Sequence, residues 1–196
     1  MKEEVREHIY NLYEIGDWKA VLECPCMSKA QLMWIEPRLE DLQFLQKTIE
    51  STESSRIVSV GAGCGLFEWL IQSAVGVEVI GLEIDPKWWQ SRYSPSVFIP
   101  LLFPDDPRYF KLAQDESSAL MFCYFNNGPA FFEYLNNYRG NCVIIIGSEK
   151  HGIHTDPKPF ALRNVDSRWS LFSHKKVYAS QDVIAVYTRS DNKQHS

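Results

Sequence analysis

The sequence lacks a hydrophobic run long enough to cross a membrane. A transmembrane helix requires about 20 consecutive apolar residues, and every apolar stretch of this 196-residue chain is shorter than that. The first residues also lack the apolar core of a secretory signal, because charged side chains interrupt them: Lys2, Glu3, Glu4, Arg6 and Glu7. We therefore expect a cytoplasmic protein with no membrane-bound segment.

An excess of positive charge is also missing. The chain has 20 Lys and Arg residues against 25 Asp and Glu residues, which gives a formal net charge of -5. This balance provides no general electrostatic attraction to nucleic acid or to anionic lipid. General nucleic-acid binding is therefore not expected, although a local basic patch would be compatible with these numbers.

Cysteines are few and odd in number, with five in the chain. Cys64, Cys123 and Cys142 lie in apolar or glycine-rich segments, where buried free thiols explain them better than disulfides do. Cys24 and Cys26 flank a proline and would make half of a metal site, but no second Cys or His pair follows at ligand spacing. No metal site is predicted.

The composition is otherwise that of a globular protein, with 45% hydrophobic residues, enough for one sizeable core. Apolar residues at helical spacing near the start, such as Val5, Ile9 and Leu12, predict an amphipathic helix. We expect a helical cap over residues 1–50 that could cover a pocket, an α/β domain over 51–190 and a disordered tail over 191–196.

From residue 56 onward, β-rich apolar runs alternate with helical stretches. The predicted strands are Ile57–Val60, Val77–Leu82, Val97–Leu101, Ala119–Phe125 and Val143–Ile146, and the predicted helices are Leu66–Ala74 and Pro129–Tyr138. This alternation predicts an α/β fold with a mostly parallel sheet. Two further runs with a short polar connection, Trp169–Phe172 and Val183–Tyr187, predict an antiparallel hairpin at the C-terminal end.

A glycine-rich loop follows the first predicted strand. Gly61, Gly63 and Gly65 allow a sharp turn and a close approach of the backbone to a ligand. Glu83, 20 residues after Gly63, ends the second strand, where a carboxylate can accept hydrogen bonds from ribose hydroxyls. The dinucleotide-binding pattern would place its third glycine at residue 66, which is Leu66 here, so this spacing weakens an NAD-binding interpretation.

The segment from Arg56 to Leu70 resembles motif I of the class I S-adenosylmethionine-dependent methyltransferases. The resemblance implies a Rossmann-like class I methyltransferase fold with S-adenosyl-L-methionine as cofactor. The cofactor-binding residues that it implies are Ser59, Gly61, Ala62, Gly63, Gly65, Glu83 and Ile84.

Three further stretches are similar to a small, poorly characterised methyltransferase-like family: Trp34-Ile35-Glu36-Pro37, Tyr138-Arg139-Gly140-Asn141 running into the fifth strand, and Asp182–Tyr187. Two departures from the family pattern concern activity. Ser59 stands where class I enzymes usually carry an acid that holds the methionine end of the cofactor. Residues 124–129 stand where the narrower family has Trp-Pro-Pro, a position that faces the transferring methyl group.

The altered segment contains the candidate catalytic residues. The side-chain amides of Asn126 and Asn127 could orient an amine acceptor, with Tyr124 as an aromatic wall. The same composition is equally typical of a turn that starts the next helix. For a hydroxyl or thiol acceptor, His151 or His154 could act as a general base, although a histidine in a polar loop is more often a surface residue.

The sequence thus predicts an S-adenosylmethionine-dependent methyltransferase that acts on a small molecule or a protein side chain. An alternative is a catalytically inactive protein of the same fold that serves as a binding or scaffold module, which the two departures favour. An NAD-binding oxidoreductase is the least favoured interpretation.

Overall fold

The centre of the molecule is a seven-stranded sheet with the strand order β3-β2-β1-β4-β5-β7-β6. The computed structural model describes residues 2–24, 32–149, 155–178 and 180–189. Its elements are α1 (Lys2–Glu14), α2 (Trp18–Glu23), α3 (Leu39–Ser51), β1 (Arg56–Val60), α4 (Leu66–Val75), β2 (Val79–Leu82), α5 (Pro86–Trp89), β3 (Leu101–Leu102), α6 (Tyr109–Ala113), β4 (Ser118–Cys123), α7 (Gly128–Asn137), β5 (Cys142–Ser148), α8 (Leu162–Val165), β6 (Trp169–Lys176) and β7 (Asp182–Arg189).

The first five strands are parallel, and β7 inserts antiparallel between β5 and β6. The predicted α/β fold with a C-terminal antiparallel hairpin is therefore confirmed. The chain moves outward to β2 and β3 on one side of β1 and then returns to β4 on its other side. Such a reversal opens a crevice at the carboxyl ends of the strands, where α/β sheets bind ligands.

Side chains of the central strands alternate between two cores, one on each face of the sheet. Ile57 packs in one core with residues of α1, α2, α3 and α4. Val58 packs in the other core with residues of α6, α7 and α8. The helices before residue 52 thus share a core with the sheet, and Ile9, Val21 and Leu42 are fully buried in it. The predicted division of the chain at residue 50 stays a prediction.

The third predicted strand was wrong in its position. Only Leu101 and Leu102 pair with β2, and residues 97–100 are irregular. Prolines at 95 and 100 flank this segment and cannot donate a ladder hydrogen bond. Its apolar residues are buried for another reason, because Phe98 and Ile99 pack beneath the glycine loop and the backbone N–H of Phe98 donates to the carbonyl of Cys64 at 2.8 Å.

Cys64 and Cys142 are buried free thiols, as predicted, and burial raises the pKa of each to about 12. Cys123 is also free and half-buried. Cys26, His151, His154 and the tail over 191–196 lie outside the described residues. In the described part of the chain, no helix has the length and apolarity that crossing a membrane requires.

Candidate functional site

A cavity of about 680 Å³ opens at the carboxyl ends of β1, β2 and β4. This volume falls within the range of about 300–1,000 Å³ that is typical of small-molecule sites. Three loops that follow these strands line it: residues 61–64, residues 83–84 and residues 124–127. Residues 32–34, between α2 and α3, also line it, so the N-terminal part reaches the cavity through a loop.

The glycine loop turns sharply after β1 because its three glycines have positive φ angles, between 62° and 77°. Gly63 needs this freedom for its conformation alone, since a β-carbon built on it would meet no atom within 4 Å. Gly65 needs it for packing as well, because a β-carbon there would lie 2.4 Å from Cγ1 of Ile99. The two glycines thus contribute in different ways: Gly63 leaves space beside the cavity, and Gly65 lets the loop lie on the core.

Glu83 is placed at the cavity by a direct bond to the glycine loop. Its Oε1 accepts a hydrogen bond from the backbone N–H of Gly63 at 2.7 Å. A carboxylate has acceptor capacity for several hydrogen bonds, so this contact leaves room for a ligand hydroxyl. Ile84, the next residue, also lines the cavity and is exposed. The structure therefore brings both parts of the predicted cofactor site, the loop and the acid, to one cavity.

Ser59 and Gly65 lie behind the cavity wall. Ser59 is fully buried, and its hydroxyl donates a hydrogen bond of 2.7 Å to Oε1 of Glu68. Glu68 belongs to the first turn of α4, is only 2% exposed and lines the cavity. Burial raises the pKa of Glu68 to about 7, although the bond from Ser59 opposes the shift. Ser59 can thus influence a ligand in the cavity only indirectly, through Glu68.

Sequence reasoning did not identify Glu68 as a site residue. A glutamate in the first turn of a helix is common because it interacts favourably with the helix dipole, so its type and position did not single it out. Only the folded chain brings its carboxyl to the hydroxyl of Ser59 on β1.

Tyr124, the first residue after β4, has a φ angle of 51°, which is uncommon for a residue with a side chain. Its backbone N–H donates to the carbonyl of Ile146 at 2.8 Å, and its hydroxyl donates to Oδ1 of Asp182 at 2.6 Å. Burial and the bond to Asp182 raise the pKa of Tyr124 well above its ordinary value, so the hydroxyl stays protonated. The ring stacks with that of Trp34 across the cavity mouth, with centroids 6.0 Å apart.

Asn126 and Asn127 both line the cavity and are exposed. Oδ1 of Asn127 accepts a hydrogen bond from the backbone N–H of Ala130 at 3.2 Å and caps the N-terminus of α7. Asn127 therefore has the helix-starting function that its sequence context suggested, while its side chain also borders the cavity. Whether either asparagine orients an acceptor stays a prediction.

The cavity lining also contains two tyrosines that the sequence did not single out. Tyr109 of α6 and Tyr134 of α7 hydrogen-bond to each other through their hydroxyls, and both line the cavity. Burial raises the pKa of each, so both stay neutral. They lie 25 residues apart on different helices, a separation that carries no periodic signal in the sequence.

No protein-family model and no curated protein sequence matches the chain. Solved structures do. An O-methyltransferase from Bacillus cereus in complex with SAH has a TM-score of 0.51 at 15% identity over 92% of this chain and 100% of that one. A putative O-methyltransferase from Klebsiella pneumoniae has a TM-score of 0.54 at 13% identity, covering 83% and 86%. The cofactor-bound Rv0187 from MTB has 0.53 at 11%, covering 88% and 89%. The chain thus has the Rossmann-like fold of these structures.

Proposed function

We propose that the chain binds S-adenosyl-L-methionine in this cavity and transfers its methyl group to a small molecule or to a protein side chain. One observation carries the proposal: the glycine loop and the carboxylate of Glu83 line the same cavity, joined by the bond from Gly63 to Glu83. The fold shared with the Bacillus cereus O-methyltransferase in complex with SAH and with the putative O-methyltransferase from Klebsiella pneumoniae supports the choice of cofactor.

Several features of the cavity support the binding of this adenosine-containing cofactor. The space beside Gly63 admits close approach of a ligand to the backbone. Glu83 would accept hydrogen bonds from the ribose hydroxyls, and Ile84 would provide apolar contact beside the base. The backbone of Gly61 and Ala62 would line the cavity beside the ligand, while Gly65 packs against Ile99 and keeps the turn in place.

The acceptor would bind near residues 124–127. When bound, the cofactor supplies a methyl group already activated by its sulfonium, so the protein has to position a nucleophile and exclude water. The rings of Tyr124 and Trp34 would form the walls around the acceptor. The side chain of Asn126 would orient it by hydrogen bonding, with Asn127 beside it at the start of α7.

Isothermal titration of the full chain with S-adenosylmethionine and S-adenosylhomocysteine tests this proposal. We expect both ligands to bind the wild-type protein. Glu83→Gln should lower the affinity for both, because the substitution replaces a charged acceptor with a neutral amide. Glu78→Gln is the matched control, since Glu78 is exposed and pairs with Arg56 at the opposite end of the sheet. No heat of binding with either ligand at high micromolar concentration would refute the proposed cofactor.

A second candidate is a binding protein of this fold that transfers no methyl group. Ser59 favours it, because the end of β1 provides a hydroxyl where an acid is usual. The two candidates differ in the products formed from labelled cofactor: an enzyme labels an acceptor in an extract of its own cells and loses that activity in Glu83→Ala. A binding protein yields no labelled product and retains its partner in Glu83→Ala.

A further inference from the structure

A buried carboxyl group lies in the cavity wall and has no cationic partner among the described residues. Glu68 is 2% exposed and accepts the hydrogen bond from Ser59 through one oxygen. Within the ranges that the structure describes, it forms no ion pair. Because an ionised carboxylate is costly to bury unless it is paired, a ligand that brings a positive charge would be stabilised beside it.

The ionisable groups known to act on Glu68 in the described part of the chain do not provide this charge. Glu83 acts on it from the end of β2 and raises its pKa further. Cys64 in the glycine loop and Cys123 at the end of β4 are held neutral by burial, and Glu68 raises the pKa of both. The positive charge of Arg6 of α1 opposes the rise in the pKa of Cys64, and Arg6 is not among the groups that shift the pKa of Glu68. The pKa of about 7 means that a neutral and a charged form of Glu68 both exist near neutral pH.

We propose that Glu68 binds the cationic amino group of the methionine part of the cofactor and that Ser59 is a positioning residue that orients the Glu68 carboxyl. The inference rests on the proposed function, since it needs the cofactor in this cavity. The acid missing from the end of β1 is thereby replaced by one from α4, nine residues later in the chain and hydrogen-bonded to the same position.

Binding then has a defined proton balance. Below pH 7 the carboxyl of Glu68 is mostly protonated, and it must release its proton to the solvent before it can pair with the ammonium group. The affinity for the cofactor therefore falls as the pH decreases through about 7. Calorimetry in buffers of different ionisation enthalpy measures the released proton directly.

Two ligands isolate the contact. S-adenosylhomocysteine carries the amino group, whereas 5′-methylthioadenosine shares the adenosine and the sulfur and lacks it. We expect Glu68→Gln to lower the affinity for S-adenosylhomocysteine about tenfold or more, because a hydrogen bond between charged groups is lost. The affinity of the same variant for 5′-methylthioadenosine should stay within about twofold of the wild-type value, because the loss of one charged contact would have a much larger effect. Gln retains the shape of Glu and can still accept the bond from Ser59, so the fold should be preserved.

Glu83→Gln serves as the comparison. It should lower the affinity for both ligands, because both contain the ribose. For Ser59, we expect Ser59→Ala to move the pH midpoint of S-adenosylhomocysteine binding upward, since the hydrogen bond that favours the charged form of Glu68 is lost. Ser59→Thr keeps the hydroxyl and should restore the wild-type midpoint.

Three results would overturn the inference: an unchanged affinity of Glu68→Gln for S-adenosylhomocysteine, an equal loss for both ligands, or a binding profile that does not depend on pH near 7. Each of these leaves the proposed cofactor in place, because the wild-type protein still binds. If the wild-type protein binds neither ligand, the proposed function fails and this inference fails with it.

Discussion

At the scale of single residues, Glu68 makes the stability of the ligand-free protein depend on pH. Its pKa is raised from 4.5 to about 7 in the folded chain. The folded state therefore binds more protons than the unfolded state between these values, and stability falls as the pH rises through that window. The neutral amide of Glu68→Gln has no such cost.

We therefore expect Glu68→Gln to match the wild-type protein near pH 4.5 and to exceed it above pH 7, by about 3 kcal/mol at most from the size of the shift. Urea unfolding at a series of pH values measures the difference. A stability difference between the two proteins that stays constant with pH would show that the Glu68 carboxyl is not perturbed.

The two glycines of the loop should respond differently to the same substitution. Gly65→Ala should destabilise the fold, because its β-carbon would overlap Ile99 in addition to the strain of a positive φ angle. Gly63→Ala carries only the conformational strain, about 1–2 kcal/mol, and its methyl group would enter the cavity. Thermal unfolding should separate them, with the larger loss of Tm in Gly65→Ala.

Ligand titration completes this comparison. At a temperature where both variants are folded, Gly63→Ala should lower the affinity for S-adenosylhomocysteine even though it is the more stable of the two variants, because its methyl group would enter the cavity. Equal stability losses in the two variants would contradict the packing function of Gly65.

At the scale of elements, one side-chain bond ties the end of β4 to the start of β7. The hydroxyl of Tyr124 donates to Asp182 across β5, and Asp182 is only 7% exposed. We expect Tyr124→Phe to lower the free energy of unfolding by about 1.5–3 kcal/mol, the range for a hydrogen bond to a charged group. Asp182→Asn keeps an acceptor and should cost less. Denaturant unfolding measures both, and an unchanged stability of Tyr124→Phe would contradict this assignment.

The sequence was informative wherever one segment has one structural function. The runs around Val58, Leu120 and Ile144 are apolar because both faces of a central strand are buried, so their strands could be predicted. The run around Phe98 is apolar because it supports the glycine loop, and periodicity alone cannot distinguish that use from a strand. Glu68 depends on a contact between β1 and α4 that only the folded chain defines.

At the scale of the whole molecule, the helices α1–α3 and the sheet share one core. Ile9 and Val21 are fully buried in the same cluster as Ile57 and Ile144. We therefore expect a single cooperative unfolding transition, in which far-UV circular dichroism and tryptophan fluorescence report the same midpoint. Two separated midpoints would instead support an independent cap over residues 1–50.

Trp34 gives the cavity its own optical reporter. Its indole is 78% exposed and stacks over Tyr124 at the cavity mouth, so a ligand that enters there replaces water around the ring. Tryptophan emission shifts to shorter wavelengths when the solvent around the indole becomes less polar. A candidate acceptor can therefore be added to the wild-type protein and to Trp34→Phe. A blue shift that occurs only in the wild-type protein would identify a bound acceptor by spectroscopy, before any product has been detected.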